Sequence, residues 1–170
     1  MGQEVLTNAC AAIVYSWTWG QRISDALILQ RRWIMKVRLR GTLYWAVRQL
    51  RGKVVQCIGP FCLHVEITHP IGEWIASELT KTTRGPLFKT TPAMISRVLH
   101  AVMGAKRAIR RGGLQDLAMT GMALDDIRRI FSQHKSTEML RGYLGYGALA
   151  TQDAEVQRRT ANRLEARRTL

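Results

Sequence analysis

The hydrophobic period of this chain changes twice along its length, and no other property restricts its fold so strongly. From Glu4 to Trp19, Leu6, Cys10, Ile13 and Trp17 recur at helical spacing, and Gly20 supplies a stop. A short second helix is predicted from Ser24, as N-cap, to Leu29. The period then falls to two: Met35, Val37 and Leu39 alternate with Lys36, Arg38 and Arg40, which predicts a half-buried strand with one basic face. Further strands are predicted at 43–50, 54–58 and 61–67, with Arg51-Gly52-Lys53 as a turn between two of them and Gly59-Pro60 as a break. After His69 the helical period returns. Helices are expected at 71–79, from Thr91-Pro92 to Gly104, from Arg107 to Met119, at 125–131 and at 136–144. The expected fold class is α+β, mostly helical, with a small antiparallel sheet. Residues 1–150 form the domain, and 151–170 a charged helical tail whose apolar stripe is only Ala154, Ala161 and Leu164.

A chain of 170 residues with 46% apolar composition can bury one substantial core. Lys and Arg number 26 against 12 Asp and Glu, a net charge of +14, which favours a polyanionic partner. The longest apolar run, Ala9 to Trp19, falls far short of the ~20 residues a membrane span needs, so no membrane is expected. Met1 to Glu4 lacks the basic flank of a signal peptide, and Leu6 stands where a myristoylation motif wants Ser or Thr. Three cysteines, Cys10, Cys57 and Cys62, are odd in number and fit a reducing compartment. Cys57, Cys62, His64 and His69 do not match a common zinc spacing, so no metal is expected; buried cysteines and surface histidines are. The five tryptophans read as core.

Four segments carry residue types suited to chemistry on phosphate. Lys106-Arg107-Ala108-Ile109-Arg110-Arg111 places several guanidiniums on one helical face, and guanidiniums grip phosphate oxygens as planar forks. His134 follows a short helix, and Tyr143 comes nine residues later on the next one. A phenol, with a pKa near ~10, needs cationic help to attack at neutral pH. Gly20-Gln21-Arg22-Ile23-Ser24-Asp25 sets an arginine in a turn, with an aspartate three residues on that can orient it or cap the helix.

Arg22, Lys53, Arg110, His134 and Tyr143, in this order and at these intervals, resemble the catalytic domain of tyrosine recombinases, the phage-integrase family. The stretches from Ile109 to Leu114 and from Met139 to Gly147 look closest to recombinases of DIRS-like retroelements, including the VIPER-type elements of kinetoplastids. The resemblance spans Val5 to Gly147. It implies DNA strand breakage and rejoining during integration of a mobile element, double-stranded DNA as partner, a homo-oligomer on DNA and a nuclear location. It also implies roles. Tyr143 attacks the scissile phosphate to form a 3′-phosphotyrosine, while Arg22, Arg110 and His134 surround the non-bridging oxygens. Lys53 protonates the leaving 5′ oxygen. Asp25 and Arg107 support the site, and Lys106 and Arg111 hold DNA. No metal or other cofactor is expected, since arginines neutralise the charge.

The sequence also departs from that pattern. Arg107 stands where the family has His, and arginine cannot serve as a base at neutral pH. Gln133 replaces a glycine, and Gly142 weakens the helix before Tyr143 by about 1 kcal/mol relative to Ala. Tyr146 is a second candidate nucleophile. No segment corresponds to the N-terminal helical domain with which family members clamp DNA, so a truncated copy is one expectation. The rival readings are a degenerate recombinase fold that binds DNA without cutting it, an unrelated basic RNA-binding protein, and a type IB topoisomerase.

Overall fold

The computed structural model describes residues 2–102 and 106–145, with the side chains at 102, 106, 107 and 143 outside that description. Helix α1 spans Gly2–Thr18, and α2 spans Ile23–Leu27. A 3-10 turn at Arg31–Trp33 leads into strands β1, Ile34–Leu39, and β2, Thr42–Gln49. Helix α3 covers Lys53–Ile58, and strand β3 covers Phe61–Glu66. Then come α4, Pro70–Lys81; α5, Pro92–Val102; α6, Lys106–Met119; and the single turn α7, Leu124–Asp126. Ile127–Ser132 is π-helical, and α8 is Thr137–Leu144. The mostly helical α+β class with a small sheet is therefore what the chain adopts, in the order β1-β2-β3 with both pairs antiparallel.

The sheet differs from expectation in two ways. The segment Val54–Ile58 is helical, so Lys53 opens α3 instead of sitting in a hairpin turn. Gly52, at φ +119, and Gly59, at φ +84, bracket that helix. Its apolar residues fit either period over so short a run, and the N-terminal amide of Lys53 donates to Asp25 Oδ1 at 3.3 Å, which favours the helix. The second difference is the face of β1. Register pairs Ile34 with Val47 and Lys36 with Trp45, and Val47 with Leu63. Ile34, Lys36 and Arg38 thus share the face of Val47 and Leu63, yet Lys36 and Arg38 are exposed; on the other face Val37 is half-buried, and Met35 and Leu39 are 46% and 45% exposed. The pairing partners set this pattern: Val47, Leu63 and Val65 are all buried, and the core reaches only as far as Ile34.

Two apolar clusters form the interior. The larger joins α1, α4, α5 and the sheet through residues such as Ala12, Tyr15, Ile75, Phe88, Ile95 and Ile109. Trp19 and Trp33 are buried in it, and Trp17, Trp45 and Trp74 pack half-buried against it. The smaller consists of Leu114, Ile127, Leu140 and Leu144. Helix α6 enters both clusters, through Ile109 and Leu114, and Phe131 packs against each. Helices α1 and α6 touch closely. A Cβ on Gly113 would lie 1.9 Å from the Trp17 carbonyl oxygen, and Trp17 Nε1 donates to Asp116 Oδ2 at 2.7 Å.

A buried ion pair fastens the 3-10 turn to α4. Arg31, 1% exposed, binds the Glu78 carboxylate and donates to the carbonyls of Glu78 at 3.0 Å and Pro86 at 3.2 Å. Lys81 completes the Glu78 carboxylate from the surface. These bonds satisfy the guanidinium, which explains how an arginine is tolerated in the interior. All three cysteines are free and exposed, contrary to the expected burial.

Candidate active site

The first polar element is the turn that ends α1. Gly20 takes φ +58, and an added Cβ would meet Leu114 Cδ2 at 2.4 Å, so only glycine permits this close approach to α6. Two residues on, Arg22 occupies the N-cap position of α2, in place of the expected Ser24, with extended backbone and no side-chain cap. Its guanidinium is about one-third exposed and lies 3.9 Å from Asp25. Asp25 is 3% exposed. It caps α3 through the amide of Lys53, a role the sequence assigned to its own helix. Burial pushes the Asp25 carboxyl above its ordinary range, and the Lys53 amide, Arg22 and Arg110 pull it part of the way back. The Lys53 side chain itself is exposed.

From α6, Arg110 enters the same space between the two apolar clusters. It is 4% exposed, and its guanidinium donates to the carbonyl of Ser132. That carbonyl belongs to the C-terminal end of the π-helical segment, where main-chain acceptors have no helical partner. Gln133 follows at φ +49, the left-handed conformation that glycine adopts most readily. A side chain here costs on the order of 1 kcal/mol, so glutamine holds the turn at some cost. His134 comes next and is half-buried; its carbonyl accepts from Arg128 at 3.5 Å. Burial lowers the imidazole to about 4, and the positive charges of Arg110 and then Arg22 add to that effect.

Arg22, Asp25, Arg110 and His134 are therefore electrostatic neighbours, and the start of α3 at Lys53 joins them through its main chain. They arrive from four separate segments. No comparison identifies the chain: no protein-family model, curated protein or solved structure matches it significantly.

The other candidate residues are placed less fully. Tyr143 is the seventh of the eight residues of α8, and its side chain lies outside the described residues, as do those of Lys106 and Arg107 in the first turn of α6. Tyr146 and the tail at 151–170 lie wholly outside them. The helix that carries Tyr143 is itself well anchored. Ser136 caps it by accepting from Met139 N at 3.2 Å, Leu140 and Leu144 are fully buried, and Gln115 Nε2 donates to the Leu144 carbonyl at 2.8 Å. Arg111 is exposed, and its guanidinium lies against Gly145, at the C-cap of α8.

Sequence reasoning missed Gln21. This amide is 2% exposed, and its Nε2 donates to the carbonyls of Trp19 and of Phe131, both at 2.8 Å. A lone polar residue between Gly20 and Arg22 gives no periodic signal, so its distant partner was invisible. Among the described residues no group of His, Cys, Asp and Glu is arranged to hold a metal ion, and no helix is long and apolar enough to cross a membrane. An open recess of about 410 Å³ lies between α1 and α4, lined by residues including Asn8, Trp74 and Lys81, and shares no residue with the cluster.

Proposed function

We propose that the chain is a tyrosine recombinase catalytic domain that breaks and rejoins DNA strands through a 3′-phosphotyrosine intermediate, serving integration of a mobile element in the nucleus. One observation carries this reading: Arg22, Asp25, Arg110 and His134, with the amide of Lys53, converge from four segments upon one place. Two guanidiniums in that place suit a phosphodiester, whose charge rises in the transition state. The phenol oxygen of Tyr143 attacks phosphorus, and the bond from phosphorus to the 5′ oxygen breaks. His134, unprotonated at neutral pH, accepts the phenol proton; the exposed Lys53 ammonium gives a proton to the leaving oxygen. Attack by a 5′ hydroxyl on the phosphotyrosine reverses these transfers and reseals the strand without an external energy source. The substrate is a duplex, and the net charge of +14 supports its capture.

A second reading has one observation in its favour. Arg110 is nearly buried and is engaged with a main-chain carbonyl, and Arg107 stands at the family's histidine position. Both features fit a domain that holds DNA but no longer cuts it. A nicked duplex that loses its short 5′ fragment on cleavage separates the two. The expected result is a covalent protein–DNA adduct, seen as a mobility shift in denaturing gels, that Tyr143→Phe abolishes. Binding without adduct would establish the degenerate reading, and an adduct that survives Tyr143→Phe but not Tyr146→Phe would reassign the nucleophile.

A further inference from the structure

We infer that Gln21 is a positioning residue, which fixes the His134 turn against the Arg22 turn. Its catalytic consequence rests on the recombinase reading, but its structural basis does not. The π-helical segment ends at Ser132, and its last carbonyls lack partners within the helix. Two side chains take them up. Gln21 donates to Phe131 and Arg110 donates to Ser132. Gln21 is the immediate chain neighbour of Arg22, and Phe131 precedes His134 by three residues. One buried amide thereby spans 110 positions of sequence and ties together two parts of the cluster.

The same amide also bonds the Trp19 carbonyl at 2.8 Å, while the Gln21 main-chain N–H donates to Ser16 at 2.8 Å. Gln21 is thus fixed to the end of α1 before it reaches across. Both Nε2 hydrogens are used, so neither bond can shift to a different acceptor without loss of the other. The span also crosses the boundary between the two apolar clusters, where Phe131 touches both. Without it, the turn that carries His134 loses its tie to the end of α1, and the imidazole would lose burial first and its approach to Arg110 and Arg22 with it. Among the described residues, the charged groups that act on His134 include Arg110 on α6, Arg22 at the start of α2 and, through the His134 carbonyl, Arg128 of the π-helical segment.

The test is Gln21→Met, which keeps the volume and removes both donors. Imidazole titration by NMR on the full chain should show His134 moving up by one unit or more toward the ordinary histidine range. Cleavage of the nicked duplex should slow at least tenfold, with its dissociation constant changed less than twofold. Ile75→Val, in the core on α4, is the control: it should lower the melting temperature and leave the His134 titration in place. An unmoved titration in Gln21→Met overturns the inference, as does a uniform loss of DNA affinity with no change in cleavage rate. Should Gln21→Met fail to fold, exchange of the Gln21 side-chain amide protons in the wild-type protein decides the matter. Protection supports the tether, and exchange at the rate of a surface glutamine overturns it. If the wild-type chain forms no adduct, the recombinase reading falls, while a titration shift in Gln21→Met still supports the tether.

Discussion

At the scale of single residues, the charge state of His134 is the most consequential feature. An imidazole held near 4 stays neutral at physiological pH, which leaves it free to accept a proton, though as a weak base, and disfavours a permanent phosphate clamp. The linkage has a definite sign. The unfolded chain binds a proton at its ordinary pKa near ~6.5, and the folded chain does not until about 4, so between these values the unfolded state holds more protons. The stability contribution is complete above ~6.5 and is lost as pH falls toward about 4. His134→Asn should flatten that part of the melting-temperature profile and leave the neutral-pH side unchanged, as read by thermal melts from pH 7.5 to 4. A phosphate bound between Arg22 and Arg110 would offset their charge, so a duplex should raise the wild-type imidazole pKa. Such local chemistry was only partly legible in the sequence. Arg22 with Asp25 is a three-residue pattern, and a pattern can be read. That Asp25 serves the helix opening at Lys53, and that Gln21 reaches Phe131, depends on contacts between segments that no local spacing reports.

At the scale of elements, long periodic runs were legible and short ones were not. Helices α1, α4, α5 and α6 fall close to their expected places because an amphipathic stripe several turns long is distinctive. Thr91 caps α5 as expected, accepting from Met94 N at 3.2 Å. Residues 54–58 were read as strand and form α3, since five mostly apolar residues do not distinguish a period of two from one of 3.6. Strand β1 buries neither face along its length, only Ile34 and Val37 being half-buried, because alternation shows that two faces differ without showing how far the neighbours cover either. The contact between α1 and α6 was illegible, although Gly112-Gly113 marks it. Helix propensity makes that pair unfavourable, so its presence reflects close approach: Trp17 leaves no room for a Cβ at either position. Gly113→Ala must push the two helices apart and should cost about 1–3 kcal/mol in urea unfolding, despite the better helix propensity of alanine. Because α6 carries Arg110, the same change should lower adduct yield more than duplex affinity.

For the whole molecule, the distribution of charge says more than its total. From Arg31 to Lys53 the sequence contains eight Lys or Arg residues and no Asp or Glu. Arg31 is spent on Glu78, but Arg32, Lys36, Arg38, Arg40, Arg48, Arg51 and Lys53 are all exposed. By register Lys36 and Arg38 lie on the face of Val47 and Arg48 on the opposite one, so the exposed basic side chains flank both sides of the sheet, and Arg51 and Lys53 carry them to the start of α3. Among the described residues these cations have no carboxylate partner; such surface cations contribute little to folding and add repulsion, so their concentration here points to an external polyanion. Because the Lys53 amide bonds Asp25, a duplex held at the Arg51–Lys53 end of the sheet would lie close to Arg22 and Arg110. Each phosphate neutralised releases counterions and adds about 0.9 to the slope of log affinity against log salt. Replacing Lys36, Arg38, Arg40 and Arg51 with Gln should therefore reduce that slope by on the order of three units, measured by fluorescence anisotropy on a duplex across a salt series. The same number of substitutions at Arg84, Lys89, Arg97 and Lys81, around α4 and α5, should leave the slope nearly as it was. If both sets lower it equally, DNA is held by undirected charge, and the path from the sheet to the tyrosine helix has no support.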